Sequence, residues 1–508
     1  MVESKIIKVN ENKIKKAIEN EVPLLITTFT LPHDMELYIN EVVSCFLREL
    51  NQEYIIQYVL YCVGEMTSNA KKANTKRVYF EEKKLDINNE YQYNKGMQTF
   101  KQETLDDINH YLLLQKEKGL YIKVLLQKRK NKMKIEVKNN SPLTVIEYKR
   151  IHDKITRAGK YNSVEEVFSQ ILDSSEGAGL GIVIMILMLK KIGLSEENFK
   201  FYTENGETIT KIIIDLDASY QNQLSVASTE IVNSIKSLPH FPENIQHINN
   251  LLNDKNSKLS DIASQISSDV TLTTDLLKLV NSAAFSLNSP CQSILKAVQL
   301  VGIRGIKNLL YSLGTIQNLA NSNEENSKIW VHSNKVAFFS YNLARNFCAS
   351  QREVVDDSYV CGLLHDIGKV IFYNIHQDNL NQFEQICATK KIPETIFEQI
   401  CSGVNHGEIG AMIAEKWNFP IIISQTIRFH HNPNLAPEEF RTLCEIVYLA
   451  NMLVHYSNEQ IDIYQIETNI LEKYNIDSVE RLDAIAKKLS LAYESTMGGG
   501  ASKKLANK

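Results

Sequence analysis

The stretch Leu363-Leu364-His365-Asp366-Ile367-Gly368-Lys369 places an imidazole and a carboxylate side by side behind an apolar lead-in. The lead-in of Val360, Leu363 and Leu364 predicts a helix facing a core. A histidine and an aspartate so placed either share a metal ion or pair within the core by hydrogen bonding. Further imidazoles follow at His406, His430 and His431, with His332 upstream. Nine of the twelve histidines lie beyond residue 217. A chain that buries this many titratable rings must build its C-terminal half around them.

At 508 residues the chain exceeds what one core accommodates, so several domains are expected. A formal net charge of −4 gives no general electrostatic attraction to nucleic acid or anionic membrane. No basic helix interleaved with aromatics points to nucleic acid either. The eight cysteines contain no CxxC pair and read as buried, reduced thiols. The N-terminal MVESKIIKVNENK lacks the apolar core of a signal peptide. The longest apolar run, residues 180–189, is about half of what a membrane span requires. A cytoplasmic location is the expectation.

Residues 1–216 mix helical and strand patterns. Strands are predicted at 24–30, 77–80, 121–126, 133–137, 199–202 and 208–214, the last two joined by an Asn205-Gly206 turn. Helices are predicted at about 34–50, 53–74, 101–117, 144–157, 164–172 and 180–193. This is an α+β reading: a two-layer α/β sandwich. Residues 217–237 are polar and read as a partly helical linker. Leu238-Pro239-His240-Phe241-Pro242 opens a second domain. From 238 to 490 helical periodicity is nearly continuous, with one helix predicted across 354–373 and others at 292–302, 304–320, 377–388 and 405–417. An all-α bundle is expected there, and a flexible tail at 491–508.

Two motifs in the first domain carry chemistry. Glu65 and Asn69 are four apart and share a helix face, where carboxylate and amide can hold magnesium and a water beside a phosphate. In Glu176-Gly177-Ala178-Gly179-Leu180-Gly181-Ile182, alternating glycines before a helix let backbone amides approach a phosphate. Their order resembles the GHKL family, the ATP-binding Bergerat-type fold of histidine kinases, gyrase and Hsp90, over about residues 20–216. The resemblance implies ATP and magnesium as ligands. It assigns Asn69 to magnesium, Glu65 to water orientation in a weak ATPase, Gly177, Gly179 and Gly181 to the phosphate loop, and Thr208 to the nucleotide. Where that family carries an adenine-reading Asp-x-Gly-x-Gly, this chain has Lys138-Asn139-Asn140-Ser141-Pro142. Asn139 or Asn140 then offers the amide acceptor.

The second domain resembles the HDOD family, an output domain of bacterial signalling proteins, over about residues 235–456. The resemblance rests on the residue 238–242 segment, Trp330-Val331-His332-Ser333, the His365-Asp366 run, His406-Gly407-Glu408-Ile409-Gly410-Ala411, Trp417-Asn418-Phe419-Pro420, His430-His431 and Leu449-Ala450-Asn451. HD-superfamily ancestry implies His332, His365 and Asp366 as metal ligands, with His406, His430 and His431 as further candidates for iron, manganese or zinc. Asn451 stands where a distal aspartate is expected. These resemblances imply a bacterial signal-transduction protein in which a nucleotide-sensing module regulates a non-catalytic HDOD module that binds a protein partner. The alternative is a metal-dependent phosphohydrolase or phosphodiesterase acting on a (cyclic di)nucleotide, with metal-bound water as nucleophile.

Overall fold

The computed structural model describes residues 9–160, 180–216, 227–254, 257–281, 291–319, 324–377, 387, 393–461 and 463–501. Two compact units separate: one from the described parts of Ile7–Val226 and Gln382–Val404, the other from those of Ala227–Asn381 and Asn405–Lys508.

The first unit is built on five strands, β1 (Leu24–Thr28), β2 (Ile122–Arg129), β3 (Lys132–Asn139), β4 (Phe199–Glu204) and β5 (Glu207–Asp215). They pair antiparallel throughout in the order β1-β2-β3-β5-β4. Strict alternation decides the faces. Ile122, Val124 and Leu126, Met133, Ile135 and Val137, and Ile212 and Ile214 are buried in one core. The opposite face carries Lys134, Lys138 and Lys211 around Glu136, at 3.4, 3.5 and 3.7 Å. Asn205 and Gly206 take φ of 52° and 77° between β4 and β5, the paired positive values that a two-residue hairpin requires.

The helices of this unit are α1 (Glu11–Glu19), α2 (His33–Glu49), α3 (Ile56–Glu82), α4 (Glu90–Asp106), α5 (Ile108–Glu117), α6 (Val145–Lys160) and α7 (Leu180–Lys191). Val42, Phe46, Val59, Val63, Met66 and Ile184 supply the helical side of the core. Burying each such side chain contributes about 1.5–3 kcal/mol. The strand expected at 77–80 is instead the last part of α3. Val78, Tyr79 and Phe80 are all buried, in a separate cluster with Tyr93 of α4 and Tyr111 of α5. Three consecutive apolar residues mimic a strand, but here they are covered by two further helices, and packing overrides propensity. The helix expected at 101–117 divides at Asp107 into α4 and α5. The helix expected at 164–172 lies outside the described residues.

The second unit contains α8 (Thr229–Ser237), α9 (Glu243–Asn253), α10 (Leu259–Ser267), α11 (Val270–Val280), α12 (Ile294–Leu319), α13 (Glu324–Phe347), α14 (Arg352–Leu364) and α15 (Ile367–Ile375). After α16 (Glu394–Ser402) come α17 (His406–Lys416), α18 (Ile421–Phe429), α19 (Glu438–Ser457), α20 (Thr468–Lys473) and α21 (Val479–Ala501). Gly302, with φ 78° and ψ 167°, interrupts α12 where the sequence separates two helices. The stretch expected as a tail at 491–508 is helical as far as Ala501. Most of the helix expected at 377–388 falls outside the described residues.

Helix α16 departs from an uninterrupted second domain. Ile396 and Phe397 are buried in the core of the sheet unit. Gln399 there accepts from the Tyr58 hydroxyl, and Lys191 Nζ donates to the Gly403 carbonyl at 2.7 Å. No helix among the described residues is long and apolar enough to cross a membrane. All eight cysteines are free thiols.

A buried carboxylate ties α6 to α3. Glu147 receives Lys76 at 2.7 Å and Arg77 at 2.6 Å. Burial works against its ionisation, yet the Arg77 guanidinium and the Lys76 ammonium hold its pKa down at about 2. A folded-state pKa below the unfolded value gives stability that is present above about pH 4.5 and lost as pH falls toward 2. Glu147→Gln is therefore expected to cost about 3 kcal/mol in urea denaturation at pH 7, with the gap from the parent narrowing steadily between pH 4.5 and 2.

Candidate metal centre

The His365-Asp366 pair does not lie inside one helix, as its apolar lead-in suggests. Helix α14 ends at Leu364 and α15 begins at Ile367, so the pair forms the junction. Asp366 stands at the N-cap position of α15 but makes no side-chain capping bond. An aspartate at an N-cap ordinarily accepts from the first-turn amides. Here its carboxylate turns toward imidazoles instead.

Five histidines from four places in the chain converge on it. His332 comes from α13, His365 from the junction, His406 from the first turn of α17, and His430 and His431 from the end of α18. Asp366 Oδ1 lies 3.1 Å from His406 Nε2 and 3.6 Å from His430 Nε2. Its Oδ2 lies 3.1 Å from Lys369 Nζ, 3.4 Å from His365 Nε2 and 3.8 Å from His332 Nε2. His406 Nε2 is 2.8 Å from His431 Nε2 and 3.3 Å from His430 Nε2. His365, Asp366, His406 and His430 are buried.

The backbone decides which ring nitrogens face inward. His365 Nδ1 lies 2.7 Å from the Gly362 carbonyl, and His430 Nδ1 lies 2.7 Å from the Ile427 carbonyl. A carbonyl only accepts, so each Nδ1 carries a proton, and each ring turns its Nε2 toward the centre. This outer hydrogen bond is how metal-ligating histidines are oriented. Burial, then the charge of His365 and His406, pushes His430 well below the ordinary imidazole range; burial, then the charge of His430 and His406, does the same to His431. Burial likewise brings His332 down to about 3. Burial alone would raise Asp366, but His365 and Lys369 beside it hold its carboxyl well below the usual range.

The result is an ionised carboxylate facing imidazole nitrogens. Among the described residues, no well-aligned hydrogen bond reaches Asp366 Oδ1 or His365 Nε2. One proton can bridge one pair of nitrogens, but not three nitrogens and an oxygen together. The donor set fits a divalent ion of the iron, manganese or zinc type. Two ligands, each about 2.0–2.1 Å from a tetrahedral ion, stand about 3.3 Å apart, and the spacings of 2.8 to 3.6 Å straddle that value.

Close helix packing holds the ligands in place. A Cβ on Gly368 would meet the His406 carbonyl at 1.9 Å, and one on Gly410 would meet Ile427 Cγ2 at 2.7 Å. Glycine at these positions lets α15, α17 and α18 approach closely enough for their histidines to meet. Asn405 and Glu408 form a reciprocal capping box that fixes the first turn of α17, and with it His406.

The structure brings together all six metal candidates, His332, His365, Asp366, His406, His430 and His431. Sequence reasoning gave no role to Lys369, three residues beyond Asp366 and therefore on the same face of its turn. It also passed over His455, one turn beyond Asn451 in α19, whose ring centroid lies 5.0 Å from that of His332. Asn451 Oδ1 itself lies 3.0 Å from His332 Nε2.

In the sheet unit, Asn69 Nδ2 donates to Glu65 Oε1 at 3.2 Å. The Glu65 carboxylate lies where a Cβ on Gly181 would sit, 2.1 Å from it, so α3 meets the first turn of α7 there. Gly177 and Gly179 lie outside the described residues. Thr208 is buried and donates to the Ser141 carbonyl at 2.7 Å. The amide acceptor expected of Asn140 is already engaged: its Oδ1 receives the Tyr121 amide at 2.8 Å, and its Nδ2 donates to the Gly119 carbonyl. Asn139 donates to Asn74, also buried. This stretch is an internal amide network that secures the start of β2 and the end of β3.

Residues 238–433 of this helical unit match the HDOD domain family model, so the chain carries an HDOD domain. The chain belongs to one family with an uncharacterized protein of Treponema pallidum (strain Nichols), 42% identical over 486 residues, 96% of this chain and 94% of that one. Among solved structures it is similar to an HDOD domain protein of unknown function from Geobacter sulfurreducens, at 22% identity and TM-score 0.42 over 53% of this chain and 96% of that one. A Shewanella amazonensis protein provisionally named a phosphohydrolase gives 21% identity and TM-score 0.42 over the same shares.

The glycine contact offers a direct check. Gly368→Ala is expected to destabilise the protein by about 3 kcal/mol, because the blocking atom is backbone and cannot turn aside. Thermal melts of the two proteins at neutral pH measure it.

Proposed function

We propose that this protein is a signal-transduction protein whose HDOD unit holds a divalent metal ion at Asp366 and acts as a phosphohydrolase on a phosphate ester of the nucleotide class. The observation that carries the reading is the convergence of imidazole nitrogens on an ionised, buried carboxylate whose Oδ1 lacks an aligned donor. Asp366 and the surrounding histidines would hold the ion, which supplies a water deprotonated near neutral pH. His365 and His430 keep their Nε2 atoms inward through the carbonyls of Gly362 and Ile427. Lys369 places an ammonium beside the carboxylate, where it offsets the charge of Asp366 and offers donors to a phosphoryl oxygen.

Elemental analysis of protein purified without chelator tests this. At least one equivalent of iron, manganese or zinc is expected, lost in Asp366→Ala and His406→Ala, together with hydrolysis of bis(p-nitrophenyl) phosphate that follows the metal. Metal-free parent protein would leave the cluster as a packing network, and the module as a non-catalytic, partner-binding one.

The sheet unit supports a second, separate role. Glu65, bonded to Asn69, lies against Gly181 in the first turn of α7, where carboxylate and amide together could hold magnesium beside a phosphate. We assign this unit to nucleotide binding that regulates the HDOD unit, with Asn69 toward magnesium and Glu65 toward water. Mg-ATP is expected to bind in calorimetry and to bind at least tenfold more weakly to Asn69→Ala. Absence of heat with the parent protein removes the role.

A further inference from the structure

The two oxygens of Asp366 face different surroundings, and the difference bears on how many ions the centre takes. Oδ1 faces His406 and His430, with His431 completing a set of three nitrogens and one oxygen whose ligand atoms lie within 4.8 Å of one another. That is a full tetrahedral complement. Oδ2 faces His332 and His365, but it also lies 3.1 Å from the Lys369 ammonium. A fixed cation already stands beside this oxygen. The third potential ligand on this side is Asn451, and its Oδ1 lies 3.0 Å from His332 Nε2. An amide oxygen accepts there only if Nε2 carries the proton, so the nitrogen of His332 nearest the carboxylate is a donor and has no lone pair for a metal. The amide also brings no negative charge to balance a second divalent ion.

Resting on the metal reading above, we infer that this protein binds a single metal ion, on the Asp366 Oδ1 side among His406, His430 and His431, and that Asn451 together with Lys369 keeps a second ion from the His332–His365 side. Asn451 is thus the residue that sets the nuclearity of the centre. The His332 side is left as a hydrogen-bonding wall of the same site: His332 presents a donor toward Asn451, and Lys369 an ammonium toward Asp366.

The experiment is calorimetric titration of the full-length, chelator-stripped protein with ZnCl2 and with MnCl2, with elemental analysis after desalting. The parent protein is expected to bind one equivalent and Asn451→Asp two, because a carboxylate at 451 is itself an anionic metal ligand, adds the missing charge and lets the ion displace the His332 proton. His332→Ala is expected to retain one equivalent and His430→Ala to lose it. Two equivalents in the parent, or one in a folded Asn451→Asp, overturn the single-ion inference and leave the metal reading intact. No binding by either protein removes the metal reading, and the inference with it. Should Asn451→Asp fail to fold, judged by far-ultraviolet circular dichroism, the other pair decides: loss of the ion in His332→Ala overturns the inference, and its retention there with loss in His430→Ala upholds it.

Discussion

The helical unit is arranged around one electrostatic demand, an ionised carboxylate held inside a protein core. A charge taken out of water without compensation is costly enough that most buried acids take up a proton instead. Asp366 avoids this through neighbours from α13, α15, α17 and the end of α18. The glycines at 368 and 410 follow from the same demand, since bulkier residues would hold the helices apart.

The sheet unit solves a different problem with different means. Its core is apolar, and its polar residues at the ends of β2 and β3 are spent on holding the chain. Asn74, Asn139, Asn140 and Ser141 bond to one another and to nearby backbone. Side chains committed in this way satisfy buried groups that would otherwise be unpaired. The Asn139–Ser141 stretch is thus a structural knot, whereas the Glu65–Asn69 face keeps a carboxylate beside the start of α7.

Much of the architecture was legible because it depends on period. Alternation in 122–126, 133–137 and 208–214 marks half-buried strands, and the Asn205-Gly206 pair marks the turn between β4 and β5, as the positive φ values bear out. The site was legible for a different reason: histidines are rare enough that a cluster in one half of a chain carries information. What misled was local composition. Residues 77–80 read as a strand because β-branched and aromatic residues suit strands, yet two later helices cover them. The His365-Asp366 junction was invisible because the apolar period continues across it, and only the backbone turn at Asp366 breaks the helix.

The sequence by itself determined which groups could do chemistry: the His-Asp pair, the further imidazoles, and the pairing of Glu65 with Asn69 on a helix face. These follow from residue type and from spacings of one helical turn, which any helix enforces. Only the tertiary structure decided how the groups divide between the two oxygens of one carboxylate. It also assigned residues 394–402 to the sheet unit, although their neighbours in the chain belong elsewhere. Both outcomes depend on contacts between residues distant in the chain. Those contacts are set by which helix faces fit together, a property that no local period records.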